Sequence, residues 1–216
     1  MYRPDHFRED RLEAQHGLIR ARPLGTLVTH GADGLDSSLV PFLLDADASP
    51  LGTLRTHLAR ANPHWRTLAD ATEALAVFQD AGAYISPGWY ATKRETGKVV
   101  PTWNYVVVQA WGRPRVIEDQ GWLRALVDDL TTRHELDRDQ PWATTDAPAS
   151  FIAGMLQAIV GFEIPIARIE GKWKASQNRP EADRAGVVAG LEARGDDASR
   201  AMAAWVLSGR GPGTDR

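Results

Sequence analysis

Between residues 24 and 57 the chain breaks into short apolar runs with no room for a helix between them. Residues 24–30, 39–44 and 51–57 each read as a strand. Gly31-Ala32-Asp33-Gly34 and the polar segment 45–50 supply turns. Parallel neighbours need a crossover of a dozen or more residues, so this spacing predicts an antiparallel meander rather than βαβ units.

Helical periodicity lies on either side of the strands. Residues 9–21 form a helix with Leu12, His16 and Ile19 near one face, ended by Pro23. Asn62-Pro63 opens a short helix to about 69, with Asn62 as its cap. Short strands follow at 74–78 and 84–86, then a polar, Gly-punctuated loop over 88–98. Residues 99–108 and 110–117 read as long strand material, with Pro101 confined to an edge or strand start. Trp122, Leu126 and Leu130 recur every four residues and predict a helix over 119–135. A polar linker spans 136–146. A helix from Ser150 puts Phe151, Ile152, Met155, Leu156 and Ile159 on one face, and that face and the Trp122 helix are expected to pack in the core. Residues 162–169 alternate at strand period, Asn178 to Pro180 opens a helix carrying Val187, Val188 and Leu191, and a last helix covers 197–207. The expected architecture is α+β, mainly β. It is one domain over residues 1–208, a small closed or split β-barrel with peripheral helices, and a disordered tail over 209–216.

The 216 residues are 43% apolar, enough for a sizeable core. There is no Cys, which removes disulfides, thiolate metal sites and Cys nucleophiles and fits a reducing compartment. The first residues lack an apolar signal core, and no apolar run approaches membrane-spanning length. A soluble cytoplasmic protein without membrane contact is expected. The net charge of −3 gives no global pull toward nucleic acid. No G-x-G-x-x-G, P-loop, H-E-x-x-H or G-x-S-x-G is present, the six His lack metal-ligand spacing, and no helix-turn-helix is evident.

The chemistry concentrates in residues 52–105. His57, Arg60, Asn62 and His64-Trp65 precede Tyr84-Ile85-Ser86-Pro87-Gly88-Trp89-Tyr90 and Val99-Val100-Pro101-Thr102-Trp103-Asn104-Tyr105. Cations and amides hold phosphate, aromatic rings stack, and backbone groups read a ring edge, so this mixture suits a flat, polar-edged, anionic ligand. Trp89, Trp103 and Tyr105 also suit a core. With Ser86, Lys98 and Asn104 beside them they favour a polar-edged pocket. Thr102 and Asn104 share a strand face with Val100.

Five segments resemble the PaiB family of FMN-binding negative transcriptional regulators. These are Met1-Tyr2-Arg3-Pro4-Asp5-His6-Phe7-Arg8, His57-Leu58-Ala59-Arg60-Ala61-Asn62-Pro63, the Tyr84 to Tyr90 segment, Thr96-Gly97-Lys98-Val99-Val100-Pro101-Thr102-Trp103-Asn104-Tyr105, and Glu170-Gly171-Lys172-Trp173-Lys174-Ala175-Ser176-Gln177-Asn178-Arg179. The resemblance runs in order from Met1 to about Leu191. It implies an FMN-binding split β-barrel, related to pyridoxamine-phosphate-oxidase-like folds, and a homodimer with two flavin sites at the subunit interface.

On this resemblance His57, Leu58, Ala59, Arg60 and Asn62 approach the flavin phosphate or ring edge. Each also has a structural alternative: a strand-end His, a surface ion pair for Arg60, a helix cap for Asn62. Ser86, Trp89, Lys98, Thr102, Trp103 and Asn104 line the pocket, with Leu27, Val28 and Thr29 offering backbone groups. Lys172, Trp173 and Lys174 reach the phosphate or cover the ring. The alternatives for the basic stretch Lys172, Lys174, Gln177 and Arg179 are a solvated edge and nonspecific DNA contact, with no base-reading pattern.

The expected function is an FMN-binding negative transcriptional regulator. The alternative is an FMN-dependent oxidoreductase, a flavin reductase or oxidase acting on a small substrate. A third reading, a cofactor-free module or one binding haem through His6 or His30, ranks below both.

Overall fold

The computed structural model describes residues 1–32 and 34–208; the expected disordered tail and Asp33 of the first turn lie outside these. The strands are β1 (Arg8–Glu9), β2 (Leu24–Gly31), β3 (Gly34–Pro41), β4 (Leu43–Asp45), β5 (Thr53–Ala59), β6 (Ala74–Ile85), β7 (Thr102–Gly112), β8 (Arg115–Ile117), β9 (Ile159–Pro165) and β10 (Arg168–Lys174). The helices are α1 (Leu12–Ala21), α2 (His64–Asp70), α3 (Thr92–Thr96), α4 (Gln120–Glu135), α5 (Ala149–Gln157), α6 (Glu181–Arg194) and α7 (Asp197–Ser208). The chain divides into two compact units, and β6, β7 and β10 each carry it from one to the other.

The first unit comprises Met1–Arg22, Phe78–Gln109 and Glu170–Arg216. Here β1 pairs antiparallel with β10, Arg8 opposite Lys172 and Glu9 opposite Gly171. Its core draws Leu18 and Ile19 from α1, Phe78 and Ile85 from β6, Val106 and Val108 from β7, Val187 and Leu191 from α6, and Met202, Trp205 and Val206 from α7. Gly195, at φ 71°, closes α6 in the left-handed conformation that glycine adopts without a Cβ clash.

The second unit comprises Pro23–Val77 and Ala110–Ile169. The expected meander is present: β2 pairs antiparallel with β3, β4 with β5, β5 with β9, and β9 with β8. The start of β6 pairs with β2, Thr26 opposite Val77 and Val28 opposite Leu75. Residues directly opposite one another share a face. One face of β2–β3 therefore carries Leu24, Leu35 and Leu39, 57%, 77% and 63% exposed, flanked by half-buried Val28, Leu75 and Val77. Leu27, Val40 and Ala76 are buried on the other side. Asp119 caps α4 by accepting from the Trp122 amide at 2.8 Å. Leu123 of α4 packs against Ile152 and Leu156 of α5.

Several sequence expectations need correction. The strands expected at 74–78 and 84–86 are one strand, β6, which runs through the polar Gln79 and Asp80. Asp80 is anchored, accepting from Arg22 Nε at 2.6 Å and Trp205 Nε1 at 2.7 Å, so its carboxylate does not break the strand. The strand expected at 39–44 begins earlier and splits into β3 and β4 around the buried Phe42. Strand β7 starts at Thr102, immediately after Pro101, whose missing N–H cannot join a ladder. Phe151 and Met155, expected in the core, are 56% and 51% exposed, because α5 turns only the Ile152–Leu156 side inward.

Candidate functional site

In the first unit, alternation along β10 separates three of the sequence candidates. Trp173 is buried and packs edge-on against Trp205 of α7, ring centres 5.8 Å apart. Its indole N–H has no hydrogen-bond partner. Lys172 and Lys174 meet the ring of Tyr105 instead, their ammonium groups 5.2 and 5.8 Å from its centre. Lys172 is only 7% exposed; it donates to the Tyr2 carbonyl at 2.9 Å and lies 5.5 Å from the Tyr2 ring. Lys174 donates to Thr102 Oγ1 at 2.5 Å. Burial is the main reason its pKa lies below the usual lysine value. Tyr105 opposes that lowering, and the charges of Lys172 and Arg179 add to it.

The turn after β10 is tightly braced. The Ala175 amide donates to Gln177 Oε1 at 2.8 Å, and Gln177 Nε2 donates to the Trp173 carbonyl at 2.5 Å. Ser176, buried at φ 62°, adopts the left-handed conformation, unusual for a residue with a Cβ. Its hydroxyl accepts from Asn104 Nδ2 at 2.9 Å and its carbonyl from the Arg179 amide at 3.0 Å. Arg179 is thereby set with its guanidinium 4.6 Å over the ring of Tyr90.

The other first-unit candidates diverge. Ser86 Oγ accepts from the Gly88 amide at 3.1 Å and caps a short turn, Pro87–Trp89. Trp89 is wedged against α6. Trp103 is 59% exposed and meets Tyr84 edge-on at 6.1 Å. Lys98 is exposed. Lys172 and Lys174, the latter with Thr102, thus gather near Tyr105, and Asn104 bonds the turn at Ser176, while Ser86, Trp89 and Trp173 serve packing and turns.

The second unit carries the candidates at the end of β5. Leu58 is core and Ala59 exposed. Arg60 donates through Nη1 to Glu118 at 2.6 Å, through Nε to the Gln157 carbonyl at 3.1 Å, and through Nη2 to the Ile159 carbonyl at 3.3 Å. Asn62 accepts from the His64 amide at 3.0 Å, performing the expected capping, and donates to Ser38 Oγ at 3.2 Å. The same Ser38 hydroxyl lies 2.8 Å from His64 Nδ1, and Thr29 Oγ1 lies 2.7 Å from Nε2. His57 keeps a buried Nδ1 with no partner, and burial lowers its pKa.

Tyr90 and Arg179 lie in segments singled out from sequence but were not among the residues expected to bind the cofactor. Tyr90 is 2% exposed and its hydroxyl proton has no acceptor; burial raises its pKa, the Arg179 guanidinium opposing that rise and the Asp183 charge adding to it. Among the described residues, no carboxylate forms an ion pair with Lys172, Lys174 or Arg179. The sequence signal for Arg179 was its place in the basic stretch, and that for Tyr90 its place at the end of the segment 84–90.

This arrangement is rich in donors. It holds cations without carboxylates and a buried hydroxyl with nothing to donate to, and a phosphate fits that donor set. Comparison with known proteins agrees. Residues 1–168 match the model of the FMN-binding domain family FMN_bind_2. The chain belongs to this family. A relative in Emericella nidulans is 35% identical over 86% of this chain and 88% of its own. The protease synthase and sporulation protein PAI 2 of Bacillus subtilis is 29% identical over 94% of this chain and 95% of its own. Among solved structures, the FAD and heme binding protein of Mycobacterium smegmatis superposes with a TM-score of 0.58 at 19% identity, covering 77% of this chain and 73% of that one. The fold is that of the FMN-binding split barrel, and FMN is the cofactor of the family.

Proposed function

We propose that this protein is a homodimeric FMN-binding regulator that acts as, or within, a negative transcriptional control system. The observation that carries the flavin site is the uncompensated cation set of the first unit, Lys172 and Lys174 around Tyr105, in a chain whose family binds FMN. Thr102 and Asn104 are held beside them through Lys174 and Ser176, while Lys98, Trp103, Ser86, Trp89 and Trp173 enter this reading on the family resemblance alone. For His57, Leu58, Ala59, Arg60 and Asn62 of the second unit a flavin contact is proposed on the family resemblance, supported by the unpartnered, buried His57 Nδ1. The regulatory role rests on likeness to PAI 2. Dimerisation is supported by the apolar β2–β3 face, whose leucines suit a second copy of the chain.

The test is a flavin titration of the purified protein followed by absorbance. Tight uptake of FMN is expected, weakened about 10-fold or more in His57→Ala and Lys98→Ala. Unchanged affinity in both variants would refute those assignments.

A specific observation favours a second reading, an FMN-dependent oxidoreductase. Lys172 is buried and Arg179 stacked on Tyr90, so the basic stretch is engaged with aromatic side chains rather than spread as a DNA-facing surface. Turnover of a nicotinamide donor by the flavin-loaded protein supports this reading, and inertness toward common donors and acceptors counts against it.

A further inference from the structure

We propose that Lys174, Arg179 and the Tyr90 hydroxyl form an oxyanion site for a phosphate group, in which Arg179 and Tyr90 determine selectivity. It rests on the flavin reading to the extent that Lys174 belongs to the residues offered for FMN. Arg179 and Tyr90 are new to it.

The argument starts from what these groups lack. A buried hydroxyl without a partner costs stability, so native chains leave few of them. Tyr90 is such a case, with its ring almost fully enclosed. Over that ring sits a guanidinium with no carboxylate among the described residues. Asp183, on the following helix, accepts from both the Thr92 amide and the Thr92 hydroxyl, each at 2.9 Å, and its charge also acts on Tyr90. Lys174 is half-buried, the charges of Lys172 and Arg179 both act on it, and none of the three cations has an ion-paired carboxylate among the described residues. A guanidinium fork, an ammonium and a phenol are three kinds of donor that an oxyanion with several lone pairs satisfies together.

The site is also built rather than accidental. Arg179 is placed by a turn whose backbone is held in a disfavoured conformation at Ser176. The Asn104 and Gln177 side chains and the Arg179 amide bond to that turn. Such a conformation persists only where surrounding contacts over-determine it, and such positions gather at ligand clamps. The Arg179 stack and the Lys174–Thr102 bond, at 2.5 Å, fix both cations before any ligand arrives.

The phosphate has two sources, the flavin itself or a second phosphorylated ligand, and the experiment separates them. The purified full chain, with Arg179→Gln and Tyr90→Phe variants, is titrated with FMN, with riboflavin and, after FMN loading, with inorganic phosphate. Loss of about 10-fold or more in FMN affinity with riboflavin affinity unchanged assigns the site to the flavin phosphate. Unchanged FMN affinity with loss of phosphate binding to the loaded protein assigns it to a second ligand. Variants that match the wild type in all three titrations overturn the proposal. Phosphate binding that depends on Arg179 in a protein taking up neither flavin preserves this site and removes the flavin reading. Tyr90→Phe keeps the ring and deletes only an unpartnered hydroxyl, so urea stability holds or rises while anion affinity falls. A fall in stability with unchanged affinity marks the hydroxyl as structural and overturns its role here. Arg179→Lys restores part of the affinity lost in Arg179→Gln if charge matters, and restores none if only packing does.

Discussion

The informative side chains are those whose environment contradicts their usual preference. Burial biases His57 and His64 toward the neutral form. Both pKa values lie below the ordinary value of 6.5, although the charge of Asp36 pulls His64 partly back. In the unfolded chain both imidazoles charge as the pH falls through about 6.5. Their contribution to stability is therefore fully present above that pH and is lost as the pH falls through the lower folded values. Urea unfolding between pH 7.5 and 5 should show stability falling with pH, and a His57→Gln, His64→Gln double variant should show a shallower fall. An unaltered slope would place the acid sensitivity elsewhere. His64 also binds Thr29 and Ser38 through its two ring nitrogens, so removing it leaves both hydroxyls to find new partners.

Among the elements, α6 shows how a small residue fixes a large one. A Cβ at Gly190 would stand 2.3 Å from the Trp89 indole, and one at Gly186 would stand 2.0 Å from the Trp89 carbonyl. Alanine favours an exposed helix interior over glycine by about 1 kcal/mol. Here overpacking of about 1–3 kcal/mol opposes and exceeds that gain. Gly190→Ala is therefore expected to lower the urea midpoint and shift the tryptophan emission, while Ala at the open position Gly154, in α5, does neither. A Gly190→Ala protein as stable as the wild type would mean that Trp89 moves freely. The same scale explains β6. Its Asp80 reads in sequence as a break, and only Arg22 and Trp205, 58 and 125 residues away, make the strand continuous.

At the scale of the whole molecule, the open question is what covers the β2–β3 face. Leu35→Lys with Leu39→Lys places charges where the proposed second copy would pack. Light scattering should then report monomer in place of dimer, with flavin uptake falling alongside it if the sites lie at the interface. A double variant that stays dimeric with full flavin uptake would move the interface to another surface. Among the described residues no helix is long and apolar enough to cross a membrane.

Much of this was legible in the chain itself, because the signals were local. Period-two runs and turn residues gave the meander, Asp119 and Asn62 gave helix starts, and the Trp-rich segments gave the family and its cofactor. Tertiary structure decided what depends on distant partners. It sent Trp173 to the core and Lys174 to Tyr105 from adjacent positions on one strand, and it turned Phe151 outward and Ile152 inward on one helix. It committed Arg60 to Glu118 and two carbonyls while leaving Arg179 over Tyr90 without a carboxylate. Local sequence sets backbone preference, which extends over a few residues. Whether a charge is paired depends on which side chains the fold brings within a few ångströms of it, and that is fixed only once the chain has closed on itself.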